Sequence, residues 1–122
     1  METNEYPKSN HSEKILKKTT TYLSRWNGGT AIMETITTSH PTLVINVYKA
    51  GNQGWLKLRC LDPIWIKGYR IWENCDIELK VESKLKNDEF GYILLDTKNE
   101  LEIHCTSFES SENLPKKTQR VV

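Results

Sequence analysis

Residues 55–72 read WLKLRCLDPIWIKGYRIW, and the fold turns on how that stretch is parsed. Its first half alternates: Leu56, Leu58 and Cys60 point one way while Trp55, Lys57 and Arg59 point the other. That is the period of a strand with one apolar face. Asp62-Pro63 then breaks the strand, because proline has no N–H for the ladder and belongs at turns and edges. From Ile64 onward neither parity is apolar throughout: Ile64, Ile66, Gly68, Arg70 and Trp72 alternate with Trp65, Lys67, Tyr69 and Ile71. A bulge at Gly68 would switch the parity partway. It turns Ile64, Ile66, Tyr69 and Ile71 inward and leaves Trp65, Lys67, Arg70 and Trp72 outward.

Two strands, 54–61 and 64–72, follow from that parse, and the pattern spreads from them in both directions. Further candidate strands lie at 30–38, 42–49, 75–82, 91–96 and 100–108. Ile77, Leu79 and Val81 alternate with Asp76, Glu78, Lys80 and Glu82; Leu101, Ile103 and Cys105 alternate with Glu100, Glu102 and His104. Strands with one polar face suit an antiparallel sheet that meets water on that side. AGNQG (50–54) and DTKNE (96–100) are hairpin connectors, and ESKLKNDEFG (82–91) is a longer loop. No stretch between strands is long and periodic enough for a crossover helix, which excludes parallel βαβ units.

Ahead of the strands the period changes to that of a helix. Ile15, Leu16, Thr19, Tyr22, Leu23 and Trp26 share one face, with Asn10 or Ser12 as the N-cap and Gly28 as the left-handed stop. The expected fold is α+β and mainly β: one N-terminal helix packed on a twisted antiparallel meander, as a half-open barrel or a two-layer sandwich. One globular domain is expected over 12–108, with flexible ends at 1–11 and 109–122.

Composition narrows the function. Of 122 residues, 17 are basic and 16 acidic, a net charge of +1 that lacks the clustered excess of a typical nucleic-acid binder. Hydrophobic content is 37% and mean hydropathy −0.61, but four Trp and five Tyr supply apolar area for a compact aromatic core. No apolar run reaches the roughly 18 residues of a membrane span, and the N-terminus carries no apolar signal segment. Cys60, Cys75 and Cys105 are odd in number, widely spaced and without a C-x-x-C, which fits a reducing, cytoplasmic setting.

No catalytic or metal-binding motif emerges, and no cofactor is implied. His11 lies in the lead-in and His40 precedes Pro41 in a turn. His104 stands on a polar strand face, so its neighbour Cys105 points away and the two cannot pair locally. The carboxylates Glu73, Asp76, Glu78, Glu82, Glu100, Glu102 and Glu109 read as a solvated strand surface.

The remaining candidate is the aromatic and basic surface of Trp55, Lys57, Arg59, Trp65, Lys67, Arg70 and Trp72. Trp and Arg dominate protein interfaces, and the same chemistry can line a single-stranded nucleic-acid groove. The competing structural reading buries Trp65 or Trp72 beneath the helix or a second layer. The expected function is a small non-enzymatic module binding another protein, or a second copy of itself, through this face; an inhibitor or immunity-type antagonist is one concrete form. A nucleic-acid binder and a small-ligand carrier or enzyme with a cavity in a half-barrel are the alternatives.

Overall fold

The computed structural model describes residues 7–36, 41–82 and 91–115. His40, the loop over 83–90, the end of the strand expected at 30–38, and the terminal segments 1–6 and 116–122 lie outside the described residues. Helix α1 (Pro7–Trp26) is followed by β1 (Thr30–Ile36), β2 (Thr42–Tyr48), β3 (Trp55–Lys67), β4 (Ile71–Trp72), β5 (Glu78–Glu82), β6 (Gly91–Asp96) and β7 (Leu101–Asn113). All pairings are antiparallel, in one seven-stranded sheet ordered β4-β1-β2-β3-β7-β6-β5. The sheet does not close: its margins, β4 and β5, are not paired with each other among the described residues.

Helix α1 starts at Pro7, earlier than the sequence pattern indicates, at a position where the missing N–H costs nothing. Asn10 and Ser12 therefore lie inside the helix, not at its cap. Its buried stripe is Ser12, Thr19, Leu23 and Trp26, with Ile15, Leu16 and Tyr22 packed beside it. The stripe is tied to the sheet by side-chain hydrogen bonds. Ser12 Oγ meets Tyr92 Oη at 3.2 Å, Thr19 Oγ1 meets Ser110 Oγ at 2.7 Å, and Trp26 Nε1–H donates to Glu112 Oε2 at 2.8 Å.

Gly28 (φ 98°) adopts the left-handed conformation that the helix stop requires. Gly29 has a different reason to be glycine: a Cβ there would lie 2.2 Å from the Tyr48 carbonyl oxygen. This tight exit clamps the chain between β4 and β5. Gly28 N–H donates to the Cys75 carbonyl, Cys75 N–H donates to Gly29, and the Asn27 side chain bonds both backbone groups of Ile77.

The stretch 55–72 departs from its sequence reading. Asp62-Pro63 does not end a strand: β3 runs through it for 13 residues, with Asp62 at φ 51° and a register shift between Pro63 and Trp65. The irregularity thus falls at Ile64 and not at Gly68. Opposite it, β7 changes the side it turns to the core: Phe108 and Ser110 are buried in one parity, Leu101, Ile103 and Cys105 in the other. A bulge adds twist and turns a strand about its axis, so two long paired strands can serve both halves of a strongly curled sheet. Strand β7 also continues to Asn113, past the expected limit of 108, paired with β3 throughout. The strand expected at 75–82 starts only at Glu78. The core joins Leu23, Trp26, Ile45, Val47, Leu56, Leu58, Cys60, Leu94, Leu101, Ile103 and Phe108 into one cluster.

Candidate functional site

Up to Leu61, β3 lies between β2 and β7; from Pro63 to Lys67 its only partner among the described residues is β7. The chain then crosses through Gly68–Arg70 to the margin of β1, where Met33 N–H donates to the Arg70 carbonyl at 2.7 Å. Among the described residues this arm keeps β7 as its neighbour along Pro63–Lys67 and has no strand on its other edge. Its large apolar residues are exposed in both parities: Ile64 58%, Trp65 48%, Ile66 46%, Tyr69 60% and Ile71 55%. Ile64, Ile66, Tyr69 and Ile71 were expected to point inward; with both parities of the arm exposed, no placement of the bulge buries them.

Trp72 is corrected in the opposite sense. In β4 it pairs with Ala31 of β1, whose small side chain faces the core and leaves room for an indole. Trp72 is only 6% exposed, and its Nε1–H donates to Asp96 Oδ2 at 2.9 Å. It belongs to the core and not to the solvent face. Asp96, fully buried, also accepts from Asp76 N–H at 2.7 Å and from Asn99 Nδ2 at 3.0 Å on the same oxygen. Four neutral donors converge on this carboxylate once Asn99 N–H to Oδ1 is included. It fixes β4, the connector to β5, and the β6–β7 turn.

The other predicted residues separate into distinct places. Trp55, Lys57 and Arg59 share the solvent face of the first half of β3. Trp55 lies beside Tyr48 with ring centroids 6.0 Å apart, and Arg59 pairs with Glu109 at 3.0 Å. Trp65 and Lys67 lie past the bulge. Trp65 meets His104 edge-on at 5.6 Å, and His104 Nε2 lies 2.6 Å from Glu102 Oε2, the residue opposite Lys67. Arg70 is exposed in the turn beside Met33 and Glu34. The structure therefore brings Trp65, Lys67 and Arg70 onto one arm with the exposed isoleucines and Tyr69, while Trp55, Lys57 and Arg59 form a separate patch.

Sequence reasoning missed the aliphatic half of the arm, together with Tyr48, His104 and Glu102. A signal was present: a segment with no consistently apolar parity is one that buries neither face. Cys105, next to His104, is 1% exposed and faces the core.

The titrating groups follow from the packing. A hydrogen bond with Cys105 and burial push the Cys60 thiol well above its ordinary value, and burial raises Cys75. Burial alone would raise the Glu112 carboxyl, but the Trp26 and Arg25 hydrogen bonds and the Arg25 charge outweigh it and hold it below the ordinary value. Asn46 Oδ1, on the β2 row between Ile32 and Lys57, is buried with no hydrogen-bond partner among the described residues.

Among the described residues no cluster of three or more His, Cys, Asp or Glu could hold a metal ion, and no helix is long and apolar enough to cross a membrane. No family model, curated protein or solved structure matches the chain.

Proposed function

We propose that this protein is an interaction module that engages another protein through the β3–β4 arm, residues 64–71. The observation that carries the reading is the two-sided exposure of Ile64, Trp65, Ile66, Tyr69 and Ile71 on one short arm. A contiguous apolar patch is costly to leave in water, and such patches mark contact sites. Trp, Tyr and Arg carry most of the energy of protein interfaces, and the arm offers Trp65, Tyr69 and Arg70.

The backbone supports side-chain insertion over strand addition. An added strand needs an even row of edge N–H and C=O groups. Pro63 has no N–H, Asp62 is left-handed and Ile64 is displaced at the register shift, three features that blunt an edge. The partner then offers apolar pockets for an aromatic ridge, and an inhibitor or immunity-type antagonist is a form consistent with this mode.

The distribution of charge counts against nucleic acid. Arg59 is paired with Glu109, and Lys67 stands across from Glu102, so two of the four cations of residues 55–72 face a carboxylate.

The test is affinity recovery from lysate of the source organism, with nuclease treatment and a salt series, using the parent chain, Trp65→Ala and Tyr69→Ala. A stoichiometric protein that survives nuclease and salt, and is lost from both variants, is the expected result. Recovery of salt-labile nucleic acid, or of a partner indifferent to both substitutions, overturns the proposal. A dimer dissolved by the same substitutions would make the partner a second copy of this chain.

A further inference from the structure

Helix α1 covers only one face of the sheet. Leu79, Tyr92, Leu94 and Ile103 join Leu23 and Trp26 in the core, so the alternate residues of β5, β6 and β7 point to the opposite side. In an antiparallel pair, residues directly opposite each other share a face. The registers therefore set two rows across these three strands: Lys80, Ile93 and His104 in one, Glu78, Leu95 and Glu102 in the other. The rows lie two residues apart, about 7 Å. Lys80 and Glu78 are exposed and form no ion pair with a described residue.

Strand by strand, the two rows complement each other. Strand β5 offers a cation and an anion, β6 two half-buried aliphatic side chains, and β7 a histidine and the carboxylate it meets at 2.6 Å. An apolar centre between polar margins is the layout of an interface core and its rim. A two-fold axis between the rows, perpendicular to the strands, sets each row on the other row of a second copy. Lys80 then meets Glu78, Ile93 meets Leu95 and His104 meets Glu102, and symmetry makes every contact twice. An axis parallel to the strands sets Glu78 on Glu102 instead, and like charges across an interface are costly. Sheets packed face to face stand about 10 Å apart with strands aligned to within about 30°, a gap that Lys and Glu side chains span from both sides.

We propose that two copies of this chain pair face to face across β5, β6 and β7 about the axis perpendicular to the strands. Six side chains per copy make a small contact, so the dimer belongs to the weak, transient class, under about 1,200 Å² in total. The face adjoins the β3–β4 arm at Trp65, across from His104, and leaves Tyr69 and the exposed isoleucines outside. It does not rest on the reading of the arm.

Sedimentation equilibrium of the full chain from about 10 μM to about 1 mM brackets such an affinity, with amide chemical shifts followed over the same series. Parent, Lys80→Glu, Glu78→Lys, Tyr69→Ala and an equimolar mixture of the two charge reversals are compared, each variant first shown by thermal unfolding to be folded. The parent should dimerise, with concentration-dependent shifts centred on residues 78–80, 93–95 and 102–104. Each reversal makes both copies of the β5 contact repulsive and should weaken self-association about ten-fold. The mixture, in which every reversed charge meets an opposite one, should associate as tightly as the parent, and Tyr69→Ala should leave the dimer intact. Four results overturn the proposal: a monomer at the highest concentration, indifference to both reversals, a mixture no tighter than either variant alone, or shifts centred elsewhere. A dimer that Tyr69→Ala dissolves and the reversals spare is the arm's own contact, so the two readings fail separately.

Discussion

Ile71 and Trp72 are neighbours in the chain, yet Ile71 is 55% exposed and Trp72 6%. They mark the border between two regions that each hold a tryptophan. On one side lies the arm 64–71, held by backbone pairing with its large apolar side chains exposed. On the other lies the junction of Trp72, residues 73–77, the helix exit at Asn27–Gly29 and Asp96, where nearly every polar group has a partner. What separates them is the neighbour each residue finds. Trp72 meets a small Ala31 and a buried acceptor; Trp65 lies edge-on to His104 where β3 has β7 as its strand partner among the described residues. An aromatic side chain is worth several kcal/mol as core only where a second layer removes it from water.

The sharpest way to break the contrast is at the junction's acceptor. Asp96→Ala strands Trp72 Nε1–H in a buried site and takes the acceptor from the half-buried Asp76 N–H and Asn99 N–H bonds. Orphaning a buried donor costs about 1–3 kcal/mol, and with the two half-buried bonds lost as well a fall of about 3 kcal/mol in urea-denaturation stability is expected. A loss under ~1 kcal/mol would mean that water replaces the carboxylate and the junction is not closed.

The paired substitutions Trp72→Ala and Trp65→Ala compare the regions directly. The first removes a core indole and should cost about 3–5 kcal/mol. The second removes an exposed one and should change stability by no more than about 0.5 kcal/mol while abolishing partner recovery. Equal costs would erase the distinction on which the proposed function rests.

Protonation probes the packed region from a third side. Glu112 has a depressed folded-state pKa, so its contribution is complete above the ordinary carboxylate range and is lost as pH falls through the folded value. Glu112→Gln should lower stability at neutral pH and remove that part of the acid dependence, bringing the parent and variant curves together below the folded pKa. Parallel curves from neutral pH down would show that the Trp26 and Arg25 bonds do not favour the charged form.

The smallest effect is expected at Asn46. Replacing it with Val removes a buried, unpartnered acceptor from a strand position and should raise stability by about 1 kcal/mol, read as an increased denaturation midpoint. A decrease would reveal a partner for Oδ1 in solution.

Much of this molecule was legible as pattern. The α1 face, the alternation of Leu56, Leu58 and Cys60, and that of Leu101, Ile103 and Cys105 all lie where periodicity put them, because a buried face imposes its period on the sequence. The pattern failed between Asp62 and Trp72. The strand runs on through Pro63 with β7 as its partner among the described residues, and the position of a bulge depends on the register of the opposite strand, which no local window contains.

The candidate arm was half visible for the same reason. Trp65, Lys67 and Arg70 stood out by residue type, whereas Ile64, Ile66 and Ile71 looked like core because isoleucine usually is. Strand content, antiparallel order and the packing helix were determined by the sequence itself, through local propensity and the spacing of apolar residues. Tertiary structure alone decided which aromatics are buried: Trp72 enters the core because Ala31 and Asp96, 41 and 24 positions away, converge on it. Trp65 stays in water because β2 ends before it, and burial is a property of what packs against a residue and not of the residue.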